Sequence, residues 1–134
     1  MAAIGDLCRE LTHSHGLKIE FTHDQIPAVI SPDTAVCLYR IAQEGLRNAI
    51  KHSGAQQAEV ALSGTVDAIS LRIVDHGRGF DPRQVQGKSG LGLVSMRERV
   101  RYLGGEIAID SQLSGGTRLH VRVPLKDTEQ PPAE

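Results

Sequence analysis

One stretch of this chain dictates its own local structure. Ser31 offers a helix N-cap and Pro32 a first helical residue, and apolar side chains then return at helical period as far as His52. Stepped at 100° per residue from Glu44, one broad arc collects Ala35, Leu38, Ala42, Leu46, Ala49 and Ile50. Arg47, Asn48, Lys51 and His52 fall near Glu44 on the other side, and Ser53-Gly54 closes the helix. A helix with one apolar stripe must bury it against a second layer.

The rest of the chain supplies that layer. Residues 1–15 read as a helix, with Ile4, Leu7, Cys8 and Leu11 at helical spacing and Gly16 at its end. Residues 17–22 alternate and read as a strand. Residues 57–63 and 68–75 read as a β-hairpin about a polar turn at Gly64 to Asp67. Residues 76–92 are Gly-rich and charged, a loop. Residues 93–103 return to helical period and stop at Gly104-Gly105; 106–111 and 117–125 are strands about Gly115-Gly116. Strands adjacent in sequence that pair as hairpins argue for an α+β, two-layer α/β sandwich with helices on one face of a mixed, mostly antiparallel sheet, and against a doubly wound parallel sheet. The spacing predicts one domain over 1–125 and a disordered tail over 126–134, where Pro131 and Pro132 lie.

Bulk properties exclude several functions. A formal charge of −1 is not that of a general nucleic-acid binder, and 3% aromatics leave few stacking platforms for single strands. Cys8 and Cys37 show no framework spacing, and Cys37, inside the helical pattern, reads as a buried reduced thiol. No Cys/His cluster suggests zinc. No long apolar run or signal peptide is visible, so no direct membrane insertion is expected.

Two familiar phosphate motifs fail. Gly87-Lys88-Ser89 resembles the end of a P-loop, but Pro82 stands where the first glycine belongs. Gly90-Leu91-Gly92 could open a dinucleotide fingerprint, but Ser95 replaces its last glycine and the βαβ context is missing.

Three ordered blocks remain: RIAQEGLRNAIKHSGA at 40–55, DHGRGFD at 75–81 and GLGLVSMRERV at 90–100, the last followed by glycine pairs at 104–105 and 115–116 and by Thr117. Over roughly residues 10–125 they resemble the Bergerat-fold ATP-binding domain shared by histidine kinases, type II topoisomerases, MutL proteins and the ninety-kilodalton heat-shock chaperones. LYRIAQEGLRNAIKHSGA and GLGLVSMRERV are most similar to the sensor-kinase subfamily of the nitrate and membrane-fluidity sensors. The resemblance implies ATP and Mg2+ as cofactors. It implies Asn48 as the Mg2+ ligand, in keeping with a hard cation that needs few protein oxygens when phosphates supply the rest. Glu44, one turn earlier, is implied as the catalytic acid–base position or as an orienter of a magnesium-bound water. Lys51 and His52 lie one turn later, within reach of phosphate. Asp75 is implied as acceptor of the adenine amine, a bond to a charged acceptor that contributes roughly 1.5–3 kcal/mol. Gly77 and Gly79 let the backbone approach the flat base. Gly90, Leu91 and Gly92 would offer backbone N–H groups to phosphate at a helix start, residues 81–89 a short lid with Lys88 and Ser89 near phosphate, and Thr117 a hydroxyl near the base. Each residue also has an ordinary reading: a solvated helix face for Glu44, Asn48, Lys51 and His52, a turn after a strand for Asp75, a β-turn residue for Thr117. The joint spacing of the blocks favours the site.

The acceptor histidine is not evident. RELTHSH at 9–15 faintly resembles an acceptor segment, but Gly16 and a strand follow at once, so His13 and His15 read as surface residues, as do Arg97 and Arg99. Gly45 stands where the family pattern has alanine, at a helix cost of ~1 kcal/mol, and is expected not to touch the chemistry. The short Met-Ala-Ala start and the missing hairpin suggest an excised, monomeric, cytoplasmic domain of a parent that could be membrane-bound. Its implied partners are a phosphoacceptor and dimerisation domain and a response regulator. The competing readings are a free-standing anti-sigma-type serine kinase and a binding module that has lost ATP.

Overall fold

The computed structural model describes residues 2–77, 90–112 and 115–125. Helix α1 (Ala2–His15) leads into strand β1 (Lys18–Asp24), and helix α2 (Pro32–Asn48) runs on into a π-helical turn, Ala49–Ser53. Strands β2 (Gln57–Gly64) and β3 (Ala68–Asp75), helix α3 (Gly90–Tyr102) and strands β4 (Glu106–Gln112) and β5 (Gly116–Pro124) follow. The strands form one sheet in the order β1-β2-β3-β5-β4. β1 and β2 pair in parallel; every other neighbour is antiparallel. The α+β, mixed, mostly antiparallel expectation therefore holds.

α2 lies against β3, flanked by α1 and α3, while α1 packs on β1 and α3 on β4. Strand alternation supplies the sheet's half of the core: Val60 and Leu62 from β2, Ile69, Leu71 and Ile73 from β3, and Leu119, Val121 and Val123 from β5 are all buried. The other face carries Arg72, Arg118, His120 and Arg122 and is open to solvent.

α2 starts as its sequence demands. Ser31 Oγ accepts a hydrogen bond from Thr34 N at 3.2 Å, and Pro32 opens the first turn. The buried arc is wider than the one expected. Thr34, Cys37 and Ile41 join Leu38, Ala42, Leu46 and Ala49 inside, whereas Ala35 and Ile50 are only partly buried. A helix covered by a sheet below and by helices on both sides buries more than one stripe.

Strand ends shift by one or two residues, and two helix boundaries differ in kind or by more. The expected helix over 32–52 becomes α-helical to Asn48 and π-helical after it. The Ala49 carbonyl accepts from both Gly54 N and Ala55 N, with Gly54 left-handed at φ 63°. α3 begins at Gly90, three residues before the expected start, so the Gly-Leu-Gly segment is its first turn. Two glycines argue against helix by propensity alone, and here tertiary context outweighs them. The proposed tail over 126–134 lies outside the described residues. Among those described, no helix is long and apolar enough to cross a membrane.

Candidate functional site

At the C-terminal end of β3 the core-facing rows of the sheet turn from apolar to polar. Leu71 and Ile73 point into the core, and two residues on, Asp75 points the same way and is 5% exposed. The register sets Asp75 opposite Thr117 of β5, and Thr117 opposite Ser111 of β4. Three polar side chains thus form a row across three strands, below α2.

The row opens into a small cavity. Gly45 and Asn48 of α2 line it above, Ile73 and Asp75 of β3 and Thr117 and Leu119 of β5 line it below, and Ile109 closes the β4 side. Asn48, Asp75 and Thr117 come from segments far apart in sequence, and the fold brings them to one place. Asp75 is held from within the chain: its Oδ1 accepts a hydrogen bond from Gly77 N at 3.0 Å. That Asx-type turn fixes the carboxylate's direction as β3 ends. Thr117 Oγ1 lies 2.8 Å from Ser111 Oγ. Gly116, at φ 79°, permits the close approach of β5 to β3, because a Cβ there would lie 2.4 Å from the Asp75 carbonyl oxygen.

The other candidate residues lie around this cavity or elsewhere. Glu44 is partly buried, one turn before Asn48, and lines a neighbouring cleft between α2 and α3 with Arg40, Arg47, Ser95, Met96 and Arg99. Lys51 is exposed on the π turn, which also contains His52. A π turn sits where the α-helical extrapolation placed Lys51 beside Asn48, so Lys51 lags behind that projection. Gly77, two residues after Asp75, donates its N–H to the Asp75 carboxylate, while Gly79 and the lid at 81–89, with Lys88 and Ser89, lie outside the described residues. Gly90, Leu91 and Gly92 form the first turn of α3, where backbone N–H groups have no partner inside the helix. His13, His15, Arg97 and Arg99 are exposed.

One lining residue, Gly45, and one neighbour of the lining, Ser111, escaped the sequence reading. Ser111 is 9% exposed and touches Thr117; counting by twos from Ile107 and Ile109 would have placed it inward. Gly45, set aside as remote from the chemistry, lines the same cavity as Asn48 and Asp75. A Cβ on Gly45 would sit 3.1 Å from Ile73 Cδ1, tight enough that Ile73 would have to give by a few tenths of an ångström.

For a divalent cation the donor set matters more than a cage. Among the described residues no three His, Cys, Asp or Glu side chains cluster. A neutral oxygen from Asn48 at a cavity edge fits Mg2+, which takes most of its ligands from phosphates and water. The two cysteines are core residues: burial pushes the Cys8 thiol up to about 11 against the opposing pull of Arg9, and burial likewise raises Cys37 against Arg99.

Residues 33–127 match the family described as histidine kinase-, DNA gyrase B-, and HSP90-like ATPase. The chain is 40% identical over 111 residues to the sensor histidine kinase YhcY of Bacillus subtilis, covering 83% of this chain and 29% of that protein. It is also 40% identical over 98 residues to the signal transduction histidine-protein kinase/phosphatase DegS of the same organism, covering 72% of this chain and 26% of that one. The chain therefore spans under a third of these relatives. In three dimensions it superposes on the histidine kinase domain of the blue-light activated histidine kinase from Erythrobacter litoralis EL346. The TM-score is 0.70 at 23% identity, over 94% of this chain and 65% of that one.

Proposed function

The chain belongs to the histidine kinase-, DNA gyrase B-, and HSP90-like ATPase family, and from that premise we propose that it binds Mg-ATP and supplies the γ-phosphate to a histidine on a separate phosphoacceptor and dimerisation domain. A response regulator would then receive the phosphate. The observation that carries this reading is the meeting of Asn48, Asp75 and Thr117 around one cavity. The names of the two Bacillus relatives favour a sensor kinase over a free-standing serine kinase.

In this reading each residue has one task. Asp75, oriented by Gly77 N, accepts a hydrogen bond from the adenine amine and disfavours guanine, which presents an oxygen there. Ile73, Leu119 and Ile109 give the base an apolar floor. Asn48 holds Mg2+, which would supply charge neutralisation between the phosphates. The first turn of α3 at Gly90 to Gly92 offers N–H groups to phosphate oxygens. Lys51 and His52 approach the phosphates from the π turn, and Glu44 orients a magnesium-bound water from the adjoining cleft. Phosphoryl transfer needs little from the protein beyond such positioning and charge compensation, so a domain that only holds ATP can serve as the catalytic half of a kinase. The site would work on the cytoplasmic side, within a parent whose membrane attachment is a separate matter.

Calorimetric titration with ADP and ATP, with and without Mg2+, tests the reading. Asn48→Ala should remove most of the magnesium dependence of binding. Asp75→Asn should weaken every adenine nucleotide by about tenfold or more, the scale of a lost hydrogen bond to a charged acceptor. Unchanged affinity in both variants would overturn the assignment.

A further inference from the structure

The nucleotide reading uses the C-terminal end of α2 and leaves its flank toward α1 without a role. There the two helices border a surface groove of about 740 Å3. Its lining is apolar along the middle: Leu7 of α1 is buried, Tyr39 of α2 is partly buried, and Val36 of α2 is 46% exposed. A single exposed apolar side chain is ordinary, but one beside an apolar groove enlarges a contiguous apolar surface. The two walls differ in charge. α1 brings Asp6 and Glu10, α2 brings Arg40, and all three are exposed. Asp6 is paired with Arg9 of its own helix, so the net negative charge of the α1 wall rests on Glu10. Among the described residues neither Glu10 nor Arg40 forms an ion pair.

A surface that fits this groove must carry a basic stripe, an apolar stripe and an acidic stripe, in the order that sets each charge against its opposite. The face itself carries those three stripes. A two-fold rotation about an axis along the groove lays the α1 wall of one copy against the α2 wall of the other. An axis across the groove would set acid on acid and base on base, at a cost. We propose that the α1–α2 face is a self-association surface: two copies of this chain pair about a two-fold axis along the groove, with Val36 of each against the apolar groove of the other and Glu10 of each facing Arg40 of the other. An apolar centre with charges at its rim is the usual anatomy of a specific protein contact. This inference is independent of the nucleotide reading, and it sets a dimer in place of the monomer that the sequence suggests.

Sedimentation equilibrium of the full chain, at loading concentrations from about 10 μM to about 1 mM, reads dissociation constants over the matching range. The wild-type chain should pass from monomer to dimer within it. Val36→Asp puts a carboxylate into the apolar centre twice per dimer and should leave a monomer throughout. Glu10→Lys and Arg40→Glu each set like charges at both symmetry-related contacts and should each weaken the dimer by about fivefold, the scale of two exposed ion pairs lost together. The Glu10→Lys/Arg40→Glu double variant reverses both walls and should recover the wild-type dissociation constant, which also shows that the charge variants fold. A wild-type chain that stays monomeric at every concentration would overturn the inference. So would a dimer that Val36→Asp leaves intact, or a double variant that dimerises no more tightly than the single ones. ADP affinity of Val36→Asp should match the wild type, because the groove and the nucleotide cavity share no lining residue. A fall in that affinity would mean that Val36 supports α2 itself, and would overturn the inference as well. A wild-type chain that dimerises and binds no ADP would overturn the nucleotide reading and leave this one standing.

Discussion

Gly45 and Ile73 show how closely single atoms are set in this site. The Cβ that alanine would add at position 45 lies 3.1 Å from Ile73 Cδ1 and 3.7 Å from Leu119 Cδ1. Alanine inside a helix gains about 1 kcal/mol over glycine, and the clash with Ile73 works against that gain. Gly45→Ala should therefore leave stability nearly unchanged. Ile73→Val, which deletes Cδ1, should cost about 0.5–1.5 kcal/mol alone. In that background Gly45→Ala should recover the full helix gain of about 1 kcal/mol. Urea denaturation of the four proteins measures the coupling, and purely additive effects would refute the contact. The blocks in the sequence pointed at Asn48, Asp75 and Thr117 because helix period, strand end and glycine spacing are local signals. Strand alternation after Ile107 and Ile109 turns Ser111 inward but does not say what it meets, and Gly45 gave no signal at all. Their contacts depend on register between β4 and β5 and on the approach of α2 to β3, and neither can be read within one segment.

Helix α2 is organised by its two ends. Its start was readable because an N-cap serine followed by proline has a fixed chemical meaning. Its finish was not, because the π turn at Ala49–Ser53 involves one extra residue in a ring of hydrogen bonds that no side-chain pattern announces. The same holds for α3: its early start at Gly90 contradicts propensity and follows from its place against α2 and β4. The hairpins β2-β3 and β4-β5 were readable from alternation and turn residues, whereas the parallel β1–β2 pair joins strands separated by a whole helix. Ser31→Ala removes the acceptor for Thr34 N and should cost about 1 kcal/mol in chemical denaturation. The cap stands at the other end of a 17-residue helix from Asn48, so ADP affinity should not change. A matching fall in affinity would mean that the cap also sets the position of Asn48.

Taken as a unit, the described chain has a candidate ATP cavity and an exposed His13 at the far end of the helix that packs on β1 and α2. Incubated alone with ATP labelled at the γ-phosphate, it should acquire no acid-labile label on His13. Adding a phosphoacceptor domain carrying its own histidine should bring label onto that domain. Label on His13 in the chain by itself would contradict the division of labour proposed above.

The strand order has a consequence for how the molecule comes into being. β3 lies in the middle of the sheet, and its second neighbour is β5, the last of the described strands, with β4 on the outside. During synthesis β3 emerges paired on one edge only and waits, its other edge unpaired, until some forty residues more have left the ribosome (β5 spans Gly116–Pro124). Loop closure over that distance must precede any reward from the new ladder, so this step belongs to the slow part of folding. Asp75 and Thr117 face one another only through that ladder. The cavity proposed to hold the base is thus among the last features to be assembled. A nascent or truncated chain lacking β5 can neither select a nucleotide nor cover its own central strand.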